Sequence, residues 1–175
     1  KNLDHDKKSR IFQAGLLEFT YREQNDASVN NIVKIANISK GSFYQYFMDK
    51  NDFYWYVVMK TLESTLENYS ALLVDHDGDI FETEKKVFLN FLNILDDKKS
   101  RSLIRNVFLN NYLLLQSRLL QKANTVYIDN YDILIKFGFK GFNIKTKKDF
   151  LLLYEFLRTI LTNAISKNIF ESYSK

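Results

Sequence analysis

The chain has 175 residues, with 25 Lys+Arg against 21 Asp+Glu for a net charge of +4, and a hydrophobic share of 46% that is ample for a core. Cysteine is absent, which excludes disulfides and thiolate metal sites. No secretory apolar run opens the sequence, and the most apolar stretch, 150–165, is interrupted by Glu155 and Arg158, so a cytoplasmic protein with no membrane partner is expected.

With no proline and only five glycines, little breaks a helix, and an all-α chain is expected. Ile11, Ala14, Gly15, Leu17 and Phe19 predict a first amphipathic helix over about 7–22, stopped by Gln24-Asn25-Asp26. Ser28 stands at the N-cap of a short second helix carrying Ile32, Val33, Ile35 and Ala36. Asn37-Ile38-Ser39 then reads as a tight turn. Asn37 tolerates the left-handed backbone such a turn needs, Ile38 plugs the space between the helices, and Ser39 caps the third helix.

Asn51 and Asp52 are expected to cap a fourth helix reaching about Leu73. Asp75-His76-Asp77-Gly78-Asp79 is a loop by composition, after which Phe81, Val87, Phe88, Phe91, Leu92 and Leu95 resume helical spacing. Beyond a break at 96–100, helices are expected over 101–107, 109–122, 125–137 and 146–169, with Gly138 and Gly141 in the last loop.

Two short helices joined by a tight turn are the arrangement that pushes a helix into the DNA major groove. Lys40, Gly41 and Ser42 occupy the first turn of the third helix, where such proteins reach base edges. Lys40 can donate to guanine or phosphate, and Gly41 keeps no side chain between backbone and duplex. Tyr44, one turn on, can set its ring on a thymine methyl. Phe43 and Phe47 are expected to pack inward, and Ser28 and Lys50 to meet phosphates from helix starts. Charge is unevenly spread: residues 1–60 carry +2, 61–100 carry −5 and 101–175 carry +7. Groove docking must therefore rely on where individual lysines sit.

Residues 10–53 resemble the N-terminal domain of the TetR family of transcriptional regulators. The resemblance is carried by Phe19, Ser28-Val29, Ile32-Val33, Ala36-Asn37-Ile38-Ser39, Lys40-Gly41-Ser42-Phe43-Tyr44-Gln45-Tyr46-Phe47 and Lys50. Asn37 replaces the family's turn glycine, and Glu23-Gln24 replace the glycine and aromatic that normally end the first helix. The resemblance implies a helix-turn-helix DNA-binding domain over 1–50, with Ser28, Ser39, Lys40, Gly41, Ser42, Tyr44, Tyr46 and Lys50 at the duplex. It also implies an effector-binding and dimerisation domain over 51–175. The partners implied are double-stranded operator DNA, a small-molecule effector and a second copy of the chain.

Tyr69, Phe88, Phe91, Phe108, Tyr112, Tyr127 and Tyr131 fall on helices expected to surround the effector cavity and suit a flat, hydrophobic or aromatic ligand. Arg105 is the candidate partner for an acidic group. The segment 150–165 is apolar on nearly all sides, more than one core face requires, so Leu152, Phe156, Ile160 and Ala164 are expected to meet a second subunit.

Other classes have less to draw on. Only two histidines, His5 and His76, are present, with no HExxH pattern or phosphate-cradling glycine loop, so an enzyme is not expected. The acidic run at 75–79 lacks EF-hand spacing, and neither a metal nor a cofactor is expected. The alternative retained is a helical protein-interaction module without sequence-specific DNA binding.

Overall fold

The computed structural model describes residues 5–65, 68–138 and 142–171. Those residues are helical or irregular, with no strand among them, and form two compact units. One comprises Lys1–Glu63 with Ile94–Val107, the other Ser64–Asn93 with Phe108–Lys175.

In the first unit α1 (His5–Tyr21), α2 (Val29–Ala36), α3 (Lys40–Tyr44) and α4 (Lys50–Leu62) enclose Ile11, Ala14, Phe19, Ile32, Phe43, Phe53 and Val57. Gly15 lets α1 and α4 approach closely, since a Cβ there would lie 2.5 Å from Phe53 Cζ. Aromatic rings fill the centre: Phe53 meets Phe43 at 5.1 Å and Phe47 at 4.7 Å between centroids.

The cap of α4 is neither Asn51 nor Asp52 but Asp49. Its Oδ1 accepts from the Asp52 N–H at 2.8 Å, and Asp52 Oδ2 accepts in return from the Met48 N–H at 3.0 Å. Asn51 instead accepts from Gln24 Nε2. The cap lies two residues before Asn51 because, of the three, only Asp49 has the extended backbone of a cap, φ −157°. Asp49→Ala should lower stability by about 1 kcal/mol, measured by urea denaturation.

Nor does α4 reach Leu73. It ends at Leu62, passes through a single 3-10 turn at Glu63–Thr65, and α5 (Tyr69–Asp75) starts afresh after Asn68. Asn68 has a left-handed φ of 60°, which a right-handed helix cannot continue through.

The second unit holds α5, α6 (Ile80–Ile94, its final residue assigned to the first unit), α8 (Tyr112–Phe137) and α9 (Lys147–Glu171). Its core joins Tyr69, Leu73, Ile80, Val87, Tyr127, Leu134, Phe150 and Tyr154. Phe81, the first residue of the apolar pattern on α6, is exposed and meets Phe142 at 5.3 Å.

The helices expected over 109–122 and 125–137 are one, α8, because nothing at 122–125 removes a backbone hydrogen bond. The preceding α7 (Lys98–Asn110) runs past Val107, and the break falls at Asn111, φ −138°. Of the loop expected from Gly138 to Lys145, Gly141 lies outside the described residues, while Gly138 closes α8 at φ 78°. Among the described residues no helix is long and apolar enough to cross a membrane.

Candidate nucleic-acid interface

The turn between α2 and α3 is set by two caps and one left-handed residue. Asn37 takes φ 53° and ψ 54°, and its N–H returns to the end of α2. Ile38 N–H donates to Val33 O at 3.0 Å. Ser28 caps α2 by accepting from Asn31 N–H, and Ser39 caps α3 by accepting from Ser42 N–H at 3.1 Å. The Ser28 N–H itself donates to Glu18 Oε1 at 2.8 Å, fixing the entry of α2 against α1.

This short helix has two unlike sides. Phe43 and Phe47 are buried, whereas Lys40, Gly41 and Tyr44 are exposed, Tyr44 by 48%. The Tyr44 ring is braced edge-on by Phe43 at 5.2 Å, so its outward pose rests on the core. At Gly41 an added Cβ would meet nothing within 4 Å. No internal packing demands glycine there, although glycine costs a helix roughly 1 kcal/mol against alanine.

Besides the two capping serines, three more of the expected contact residues have partners inside the chain. Ser42 Oγ accepts from Lys7 Nζ at 2.8 Å, and the same ammonium lies 5.3 Å from the Tyr46 ring centroid. Lys50 Nζ donates to Asn25 O at 2.6 Å and to Ala27 O at 2.9 Å, tying down the segment between α1 and α2. Lys7 escaped the sequence reading because it lies 35 residues from its acceptor. Met48, 82% exposed just beyond α3, was also missed.

The second unit gathers some of the expected effector residues and scatters others. Tyr69 and Tyr127 are buried with centroids 5.3 Å apart, and Tyr131 lies 5.2 Å from Phe150. Phe108 meets Tyr112 at 5.7 Å, and Phe88 is half-buried on α6 near the buried Phe91. Arg105 belongs to the first unit.

Two members of the tyrosine group were not foreseen, Glu84 and Tyr154. Tyr69 donates to Glu84 Oε1 at 2.8 Å and shares a hydrogen bond with the Tyr154 hydroxyl, while Tyr127 and Tyr154 stack at 3.7 Å. Burial pushes the Glu84 carboxyl up to about 7, against the opposing pull of the Tyr69 and Tyr127 hydroxyls. Burial likewise raises the Tyr154 hydroxyl above its ordinary range. Glu84 reads as one more charge on a helical surface, so nothing local in the sequence marks it as buried.

On α9, Leu152, Phe156 and Ile160 are 55%, 63% and 49% exposed, and Ala164 is exposed on the same i, i+4 row. Among the described residues no group of three His, Cys, Asp or Glu side chains is placed to hold a metal ion.

No protein-family model matches the sequence, and no curated protein does. Solved structures do resemble the fold. A TetR-like transcriptional regulator from Rhodococcus sp. RHA1 matches 97% of this chain and 86% of its own at 17% identity, with a TM-score of 0.54. A protein of Mesorhizobium loti assigned to the TetR family matches 97% and 98% at 15% identity, with a TM-score of 0.49. A TetR-family transcriptional regulator from Chloroflexus aurantiacus matches 98% and 91% at 20% identity, with a TM-score of 0.41. The likeness to the first of these extends over nearly the whole chain, and the fold this chain adopts is that of a TetR-like regulator.

Proposed function

We propose that the chain is a DNA-binding transcriptional regulator of the TetR type, acting as a homodimeric repressor that a small hydrophobic or aromatic effector releases from operator DNA. The observation that carries this reading is α3: a short helix capped by Ser39 whose exposed side offers Lys40, Gly41 and Tyr44, with glycine at a position its own packing leaves open. A duplex surface supplies the missing reason for that glycine.

Residues 1–50 are the reading head and 51–175 the effector and dimer portion. Lys40 and Tyr44 contact bases. Ser28 and Ser39 present helix starts to phosphates, and Ser42, Tyr46 and Lys50 hold α3 and its approach in place through the bonds described above. The exposed row on α9 pairs two subunits, so that two heads meet half-sites about one helical turn, roughly 34 Å, apart. The effector acts by preferring a subunit geometry with the wrong head spacing, and its leverage is limited to its difference in affinity between the two states.

A duplex selected from a random pool, followed by gel shift over a salt series, tests the reading. Lys40→Ala or Tyr44→Ala should weaken binding by roughly 1–3 kcal/mol with unchanged helical content. Gly41→Ala should weaken it too while leaving thermal stability equal or higher. Unchanged affinity in all three variants overturns the assignment of α3.

A further inference from the structure

The first unit contains a cleft of about 470 Å³ at the junction of α1 and α4, lined by Lys8, Ser9, Phe12, Tyr56, Lys60 and Glu63. That volume falls within the range of small-molecule sites. Each helix contributes one half-buried aromatic ring, Phe12 from α1 and Tyr56 from α4. On the α4 side Lys60 is ion-paired with Glu63. On the α1 side, Lys8 and Ser9 are exposed, and no hydrogen bond or ion pair engages either side chain among the described residues.

A site with two aromatic rings, one uncommitted ammonium and one uncommitted hydroxyl has a definite complement. We propose that this cleft binds a small aromatic carboxylate, its ring against Phe12 and Tyr56 and its carboxylate on Lys8 and Ser9. A neutral aromatic would gain the ring contacts alone, whereas the carboxylate adds a charge-assisted hydrogen bond from Lys8. A cation would meet Lys8 unfavourably, since the carboxylate of Glu63 is already engaged by Lys60. The site is distinct from the tyrosine group around Glu84, which belongs to the other unit.

Occupancy is readable inside the unit. The Tyr56 ring lies 5.2 Å from Phe47, and Phe47 lies 5.2 Å from Phe43 of α3, so a ligand on Tyr56 perturbs a continuous row of rings. Nothing in the site depends on duplex binding, and the test uses none.

Naphthoate and its neutral counterpart naphthylmethanol are titrated into the full chain and followed by protein-observed NMR. Naphthoate should give saturable shifts at Phe12, Tyr56 and Phe47, and the alcohol should bind about tenfold more weakly, the value of one charge-assisted hydrogen bond. Lys8→Ala and Lys8→Gln should each bring naphthoate down to the affinity of the alcohol and leave the alcohol unchanged. Because Lys8 is exposed, both variants should keep the wild-type spectrum elsewhere. No saturable shift at those rings, shifts confined to the second unit, or equal naphthoate binding by wild type and both variants would each overturn the proposal.

Discussion

Phe156→Asp is expected to turn the proposed dimer into monomers at micromolar concentration without loss of helix. Phe156 is 63% exposed within its own subunit, between Leu152 and Ile160 on one row of α9, so its removal leaves no cavity in the core. Burying a phenylalanine against a partner is worth about 1.5–3 kcal/mol, and a two-fold interface presents the residue twice. An unpaired carboxylate forced into apolar contact costs still more. Together these reach roughly 6 kcal/mol or above, about four orders of magnitude in the dissociation constant. Sedimentation velocity decides the matter: a wild type that is monomeric, or a variant that stays dimeric, removes α9 as the pairing helix. On the proposed reading, duplex binding should fall with the dimer, because a single recognition helix reaches only a few bases.

The second large effect is a pH dependence centred on Glu84. Its carboxyl titrates near 7 in the folded protein against an ordinary 4.5, so the folded state holds a proton that the unfolded chain has released. Stability must therefore fall as pH rises from about 4.5 to about 7, then level off, with a total change on the order of 3 kcal/mol. Asp97 and Asp149 have carboxyls held below their ordinary 3.8 by hydrogen bonds from Ser100 and Thr146, and their influence lies at lower pH, outside this window.

Glu84→Gln keeps a carbonyl to accept from Tyr69 and has no charge to bury. The variant should lose the pH dependence and exceed the wild type in stability at pH 8. Urea denaturation at pH 5 and pH 8 measures both. If the variant retains the wild-type slope, the dependence arises elsewhere.

Much of the first unit was legible because its signals are local. Ser28, Asn37 and Ser39 act on backbone groups within five residues, and a cap or a left-handed turn is specified by the residue type that can make it. The inward aim of Phe43 and Phe47 follows from their spacing in the same way. Where competing caps stood side by side the reading slipped by a few residues, choosing Asn51 and Asp52 over Asp49. Neighbouring oxygens are chemically alike, and only backbone φ separates them.

Sequence by itself determined the all-helical class, the helix-turn-helix with its left-handed Asn37, and the apolar surplus of α9, since each rests on periodicity or on one residue's conformational range. Tertiary structure alone decided that Lys7 serves Ser42 and Tyr46, that Lys50 is spent on Asn25 and Ala27, and that Glu84 lies under three tyrosines. A charged side chain is written the same way whether water or protein solvates it, and its partners there come from helices distant in the chain. Which of the two surrounds it is settled only when those helices pack.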